Sequence, residues 1–155
     1  MWLRELSGWL GQGVAVSSRR GYPSDLTRTA HVGEPSERYA RVHAVVEEAV
    51  QAAFAAARPG ATCGSVDLAA REVIAAAGFG DYFVHRTGHG LGVSGHEPPW
   101  IMAGDERRLE PGMVFSIEPG IYVPNEFGVR LEEIVVLEEH RARILSTLPR
   151  NLTIV

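Results

Sequence analysis

Three histidines and two glutamates stand among glycines and apolar runs in the second half of the chain. They are His85, His89, His96, Glu118 and Glu132. Imidazole and carboxylate groups together suit a divalent transition metal, and this part of the chain offers no thiolate. One further acid, Asp25, lies upstream in the segment Gly-Tyr-Pro-Ser-Asp-Leu-Thr-Arg-Thr. These residue types predict a metal site built from oxygen and nitrogen ligands.

Each of these residues also has a purely structural explanation when it is taken alone. A histidine between Gly88 and Gly90 is more often a turn residue than a ligand, and Pro-Ser-Asp is a common turn. The glutamates are less easily explained, because a carboxylate at the end of a buried strand is costly unless it is paired or bound to metal. Period-two alternation places Glu132 and Ile134 on one face of a strand, and we predict that Glu133 lies exposed on the other.

Length and composition limit the classes of protein. The 155 residues allow one domain with a core, and 45% hydrophobic with 22% charged residues is typical of a globular protein. A net charge of −4 gives no reason to expect nucleic acid or an anionic membrane as a partner. The single Cys63 excludes an internal disulfide, and no apolar run approaches the length of a membrane span. We therefore predict a cytoplasmic location.

Two helices are predicted in the first half of the chain. The first begins at Pro35 and Ser36 and continues to Ala57, because its apolar residues recur at helical spacing. The second is predicted from Ser65, as the N-cap, to Ala77. Asp67 then falls in the first turn of that helix, near the positive end of the helix dipole.

Short strands and turns are predicted after residue 80. The predicted strands are Tyr82–His85, Met113–Ile117, Ile121–Val123, Val129–Leu137 and Arg143–Leu145. Two helices followed by strands that are joined by turns predict an α+β domain with a mostly antiparallel sheet. His31, His43 and His140 belong to no motif, and we predict them to be surface or capping residues.

The set Asp25, His89, Glu118 and Glu132 resembles the metal site of the pita-bread metallopeptidases. This family includes prolidase, aminopeptidase P, methionine aminopeptidase and the metal-free creatinase. The pattern Tyr-x-Ser-Asp-x-Thr-Arg-Thr around Asp25 resembles the segment that carries the family's second aspartate ligand. The resemblance extends from about Gly21 to Pro149. It implies a curved, mostly antiparallel sheet with two long helices and a site for divalent metal, with manganese first and cobalt or zinc as alternatives.

The proline-specific branch, prolidase and aminopeptidase P, is the part of the family that the chain resembles most. His85 and His96 flank His89, and Arg130 stands two residues before the last glutamate of the set. The resemblance implies hydrolysis of a peptide with proline at its second position, with His96 on the scissile carbonyl and Glu118 moving the proton. His85 is the third residue with an implied catalytic role. The implied substrate-binding residues are His85, His96, Tyr122 and Arg130.

The chain departs from the family near its N-terminus. By the family's spacing from Asp25, the first aspartate ligand should stand at position 14, which is Val14 here. We predict an atypical segment over residues 1–20, and the C-terminal part of a catalytic domain, hence an incomplete pita-bread fold, over residues 21–155. One metal ion should be held well and a second poorly, so activity should be weak or absent. The incomplete sheet should leave an unpaired edge and apolar surface, which favours a homodimer.

Two other functions stay open at this point. The first is a catalytically inactive remnant of the same fold that binds metal or peptide. The second is methionine aminopeptidase, which is disfavoured by His85 and by the short interval between Glu118 and Glu132.

Overall fold

The computed structural model describes residues 13–14, 17–19 and 21–155. Two helices, α1 (Glu37–Ala56) and α2 (Cys63–Ala76), precede a 3₁₀ turn at Gly80–Tyr82. The strands are β1 (Gly13–Val14), β2 (Ser17–Arg19), β3 (Tyr22–Ser24), β4 (Thr27–Arg28), β5 (Ala30–His31), β6 (Gly88–Gly90), β7 (Glu97–Ile101), β8 (Val114–Ile117), β9 (Gly120–Val123), β10 (Phe127–Arg130), β11 (Glu133–Leu137), β12 (Ala142–Ile144) and β13 (Thr153–Ile154). Among these residues, neither helix has the length and hydrophobicity that crossing a bilayer requires.

Five strands form the main sheet in the order β12-β11-β8-β6-β7, and each neighbouring pair is antiparallel. Strands β9 and β10 form a separate hairpin, whose turn contains Asn125 at a φ of 60°. Smaller pairs join β1 to β4 and β2 to β3, and a parallel pair joins β5 to β13. The α+β class and the mostly antiparallel sheet predicted from the sequence are confirmed.

The core lies between the two helices and the main sheet. Alternation along β8 buries Phe115 and Ile117 in one cluster with the apolar faces of both helices, while Ser116 points to the opposite face. Each fully buried side chain of this size contributes about 1.5–3 kcal/mol to folding. The helices therefore fix one face of the sheet and leave the other face to the polar residues near Ser116.

Helix α1 begins where the sequence predicts. The Ser36 hydroxyl accepts a hydrogen bond from the Tyr39 backbone N–H at 3.2 Å, which satisfies one of the free donors of the first turn.

Helix α2 begins earlier than predicted, and the assignment of Ser65 as its N-cap is wrong. Thr62 is the N-cap, because its hydroxyl accepts from the Ser65 backbone N–H at 3.1 Å. Two other first-turn N–H groups, those of Cys63 and Gly64, donate to backbone carbonyls of the loop at 105–107. Consequently Asp67 does not lie in the first turn; it is fully buried one turn further along.

The predicted strand Tyr82–His85 is absent, because Arg71 uses its backbone acceptors. The guanidinium donates to the carbonyls of Phe83 and His85 at 3.2 and 2.5 Å, which fixes this segment against helix α2. The predicted strand Val129–Leu137 is likewise two strands, β10 and β11, interrupted at residues 131–132. In that break the Glu132 N–H donates to the carbonyl of Thr27 at 3.1 Å.

Two predicted surface residues are buried. Glu133 is 1% exposed because it accepts hydrogen bonds from Arg28 and Arg150. His43 lies on the buried face of α1, so its prediction as a surface or capping residue is also wrong. His140, by contrast, is exposed.

Candidate metal centre

His89 lies in the middle of the short strand β6, buried between its neighbours β7 and β8. A side chain at Gly88 would overlap the carbonyl oxygen of Ser116, and one at Gly90 would overlap that of Pro98. The two glycines therefore allow the backbones of neighbouring strands to approach β6 closely. His89 is thus a strand residue and not a turn residue.

The imidazole of His89 is oriented by a backbone acceptor. Its Nδ1 lies 3.1 Å from the carbonyl oxygen of Gly90, and since a carbonyl can only accept, Nδ1 carries the proton. This contact leaves Nε2 directed towards the carboxylates.

The two glutamates occupy the points where the strands are interrupted. Glu118 stands between β8 and β9, where its N–H donates to the carbonyl of Thr87 at 2.7 Å. Glu132 stands in the break between β10 and β11, and Asp25 stands between β3 and β4. Because these residues lie outside the strand pairings, their side chains can turn towards His89.

The four side chains predicted as ligands come together in one place. Ligand atoms of Asp25, His89 and Glu132 all lie within 4.8 Å of one another. The Nε2 atom of His89 is 3.1 Å from Oε1 of Glu118 and 3.9 Å from Oδ2 of Asp25. Residues that are more than a hundred positions apart in the chain therefore face one small volume.

The carboxylates are crowded as well as buried. Burial is the largest influence on the pKa of Glu132 and raises it, and the neighbouring charges of Glu118 and Asp25 raise it further, to about 7. A hydrogen bond from the Thr27 hydroxyl and the charge of Arg130 oppose this rise. The three carboxylates of Asp25, Glu118 and Glu132 repel one another, and a cation bound among them would remove that repulsion.

His89 and Glu118 stabilise each other's charged forms. Burial is the largest influence on the pKa of each and disfavours the charged form. The hydrogen bond and charge attraction between them, together with smaller contacts, nevertheless raise the pKa of His89 and lower that of Glu118. Glu118 is therefore ionised at neutral pH and can act as a ligand or as a proton acceptor.

The donor set fits a divalent metal ion. Imidazole nitrogen and carboxylate oxygen are ligands that divalent first-row metals such as manganese accept, and the His89 nitrogen that faces the carboxylates is not the one that contacts the Gly90 carbonyl. His89 and Glu118 would hold such an ion together with Asp25 and Glu132.

Two residues of the site were not predicted from the sequence. The Thr27 hydroxyl donates to Oε2 of Glu132 at 2.5 Å, and Ser116 donates to Oε1 of Glu118 at 3.1 Å while accepting from the His89 N–H. Ser116 could have been suspected, since it is a polar residue inside the apolar run of β8 and shares a face with Glu118. Thr27 had no comparable indication.

The residues predicted to bind substrate lie around this cluster. The rings of His96 and His89 are 4.0 Å apart, and His96 is exposed at the rim. His85 and Tyr122 form a pair, with 3.0 Å between Nε2 and the phenolic oxygen. The positive charge of Arg130 favours the ionised forms of both glutamates: it contributes to the lowered pKa of Glu118 and opposes the rise in the pKa of Glu132.

Two glycines leave space for the ring of Tyr122. A Cβ atom at Gly120 or at Gly128 would lie 2.8 Å from an atom of that ring or its hydroxyl. Both glycines pair across the β9–β10 hairpin with residues of this group, Gly120 with Arg130 and Gly128 with Tyr122. The hairpin thus presents Tyr122 and Arg130 together.

A cavity of about 750 Å³ opens beside Asp25. Its wall contains Leu26, Leu91, Val114 and Ile134, together with the exposed Tyr22. The cavity therefore has a partly apolar wall next to the candidate metal centre.

Comparison with known proteins agrees with this arrangement. Residues 13–139 match the profile of metallopeptidase family M24. The probable dipeptidase PepE of Mycobacterium tuberculosis (strain H37Rv) is 50% identical over 135 residues, which are 87% of this chain and 36% of that protein. The Xaa-Pro dipeptidase of Pyrococcus furiosus is 47% identical over 131 residues, 84% of this chain and 38% of that protein.

A solved structure shows the same likeness. The X-Pro aminopeptidase of Thermotoga maritima is 41% identical with a TM-score of 0.89, covering 92% of this chain and 40% of that one. The chain thus spans less than half the length of each of these three proteins. The profile match covers most of the sequence and confirms the resemblance found there: the chain belongs to metallopeptidase family M24.

Proposed function

We propose that this chain carries the metal-binding part of a peptidase that hydrolyses the bond between an N-terminal residue and a following proline. The observation that carries the proposal is the convergence of Asp25, His89, Glu118 and Glu132 on one volume. Its specificity is supported by the names of two similar proteins, an Xaa-Pro dipeptidase and an X-Pro aminopeptidase. The substrate is accordingly a peptide with proline at its second position.

The four converging residues are the proposed metal ligands. Manganese is the first candidate, with cobalt and zinc as alternatives, because each accepts mixed oxygen and nitrogen ligands. One ion is held well by these four residues. A second ion lacks an acid, since position 14 is Val14, on the strand that pairs with β4 next to Asp25.

Glu118 is the proposed proton carrier. When bound, a divalent ion lowers the pKa of water and polarises a carbonyl group. The Glu118 carboxylate, ionised at neutral pH, takes a proton from the attacking water and returns it to the departing imino nitrogen. Ser116 holds Oε1 of this carboxylate through its hydroxyl, so the proton-carrying group stays directed into the site.

The proposed substrate-binding residues are His85, His96, Tyr122 and Arg130. The proposed role of His96 is to donate to the scissile carbonyl oxygen, and its exposed position beside His89 supports this role. His85 acts through Tyr122: its Nδ1 donates to the carbonyl of Arg86 at 2.7 Å, so Nε2 accepts from the phenol. Burial lowers the pKa of His85 and favours this neutral form. Arg130 supplies positive charge for the peptide's carboxylate or carbonyl groups.

The second candidate function is a remnant of the fold that binds metal or peptide without catalysis. The observation that favours it is Val14, which stands where the family's spacing requires an acid. A homodimer and a cytoplasmic location also remain predictions. Gel filtration with light scattering tests the first, and cell fractionation tests the second.

Hydrolysis assays separate the two candidates. We expect slow, metal-dependent release of the first residue from an Xaa-Pro dipeptide or a longer Xaa-Pro peptide, and no cleavage of Met-Ala peptides. Glu118→Gln should reduce the rate by about 10² or more, because general acid–base groups contribute at least that factor. Glu110→Gln, at an exposed position outside the cluster, is the control. Metal binding without any hydrolysis favours the remnant.

A further inference from the structure

Arg28 belongs to the same segment as Asp25, and all three nitrogens of its guanidinium donate hydrogen bonds. Each of its three nitrogens donates, and two of them donate twice, at distances from 2.5 to 3.0 Å. The acceptors are the backbone carbonyls of Thr27, Glu132, Leu148 and Pro149 and the carboxylate of Glu133. Because a guanidinium is planar and rigid, these bonds fix the relative positions of three chain segments.

One of these acceptors belongs to a proposed metal ligand. Nη1 of Arg28 donates to the Glu132 carbonyl at 2.8 Å, in the break where the strand ladder is interrupted. The Glu132 N–H donates to the Thr27 carbonyl at 3.1 Å, and the Glu132 carboxylate accepts from the Thr27 hydroxyl. Both the N–H and the carbonyl of Glu132 are therefore hydrogen-bonded to residues of β4, and Arg28 is the donor to the carbonyl.

Arg28 is in turn anchored behind the site. It shares the buried Glu133 carboxylate with Arg150, whose Nη1 lies 3.1 Å from the same oxygen. Arg150 also donates twice to Glu47 on helix α1, at 2.7 and 2.8 Å. The ligand-bearing peptide is thus connected to helix α1 and to the C-terminal segment through one set of charged hydrogen bonds.

We propose that Arg28 is a positioning residue for the metal centre. It touches no ligand atom, yet it fixes the peptide that carries Glu132, so the affinity for metal depends on its guanidinium. The inference rests on the proposed metal centre. A lysine cannot take this role, because an ammonium is a point charge that cannot bridge several carbonyls in one plane.

The test compares Arg28→Lys with Arg150→Lys. The second variant is the control, because Arg150 belongs to the same set of charged hydrogen bonds but donates to Glu47 and Glu133, and to none of the proposed metal ligands. Co²⁺ is the probe. Its affinity is measured by chelator competition and its coordination by visible absorption. Urea unfolding of the metal-free proteins measures their stability. We expect Arg28→Lys to weaken Co²⁺ binding about 10–100-fold and to change the absorption bands. Arg150→Lys should keep the wild-type Co²⁺ affinity and absorption bands, even if its urea midpoint falls by as much as that of Arg28→Lys.

The following outcomes decide between the possibilities. Wild-type affinity in Arg28→Lys, or an equal loss in both variants, overturns the inference. Failure of the wild-type protein to bind Co²⁺ contradicts the proposed metal centre itself. If Arg28→Lys does not fold, Glu133→Gln keeps the shape of the partner while removing its charge. A several-fold loss of affinity there supports the role of Arg28, and no loss overturns it.

Discussion

Glu132 shows at the level of one residue how the site is held ready for a cation. Its carboxylate is buried next to Glu118 and Asp25, and burial together with their charges raises its pKa to about 7. The Thr27 hydroxyl fixes one oxygen of this carboxylate at 2.5 Å. A carboxylate that is both crowded and oriented is costly in the absence of a cation, and it becomes a good ligand in its presence.

His43 makes a testable contribution to the pH dependence of stability. Burial is the largest influence on its pKa and lowers it below the ordinary 6.5, although Glu47 and a backbone contact with Arg150 raise it. The folded state therefore prefers neutral His43 and binds fewer protons than the unfolded chain. The stability contributed in this way is present above the unfolded pKa and is lost as the pH falls from the unfolded pKa through the lower folded pKa.

Replacing His43 should reduce this dependence. We expect the urea midpoint of the metal-free wild-type protein to fall more steeply between about pH 7.5 and pH 5.5 than that of His43→Gln. The comparison between the two proteins removes the contributions of His85, His89 and Glu132, whose pKa values are also shifted in the folded state. His140→Gln, at an exposed position, serves as the control. Parallel pH profiles for wild type and His43→Gln would contradict the assignment.

At the level of elements, local patterns in the sequence were sufficient for helix α1 and for strands β8, β9 and β12, but they gave no indication of β6, which carries His89, or of β7. Helical spacing of apolar residues and the cap at Ser36 define α1, since both are properties of neighbouring residues. The start of α2 was missed because its free N–H groups bond to the loop at 105–107, which is distant in sequence. The strand predicted at Tyr82–His85 failed for a similar reason, because a side chain of α2 takes its carbonyls.

The candidate ligands could be predicted from the sequence, but the residues that hold them in place by hydrogen bonds could not. Asp25, His89, Glu118 and Glu132 could be proposed from residue type and family resemblance. The hydrogen bonds of Thr27, Ser116 and Arg28 depend on which segments meet in three dimensions. Glu133 was wrongly predicted to be exposed for the same reason. Strand alternation carries no information about Arg28 and Arg150, whose hydrogen bonds allow this carboxylate to be buried.

The attachment of helix α2 to the loop before β6 gives a prediction at this scale. The buried Asp67 carboxylate accepts from Arg71 at 2.6 Å and from the Thr87 N–H at 3.0 Å, just ahead of the strand that carries His89. Asp67→Ala leaves a buried backbone donor without its partner, so we expect a loss of about 1–3 kcal/mol in the free energy of unfolding.

The neighbouring Glu72→Ala is the matched control, because Glu72 is exposed on the same helix and should change stability by less than about 0.5 kcal/mol. Urea unfolding of both variants measures the difference. Equal stability of Asp67→Ala and wild type would show that the loop is held by other contacts.

At the level of the whole molecule, the chain brings together one cluster of candidate metal ligands. The match to family M24 covers residues 13–139, yet the chain spans 36% to 40% of the length of the similar proteins described above. Within this part, the acids and His89 that surround one ion are assembled, and position 14 offers no acid for a second. The chain should therefore bind metal more readily than it hydrolyses peptides.

Metal stoichiometry tests this directly. Protein purified by gel filtration, loaded with Mn²⁺ and desalted should retain about one metal ion per chain by elemental analysis, because one complete set of oxygen and nitrogen ligands is present. Val14→Asp should increase the retained metal, whereas Val14→Asn, which adds no charge, should not. Retention of no metal by the wild-type chain would contradict the metal centre, and two tightly held ions would contradict the prediction of one well-held ion.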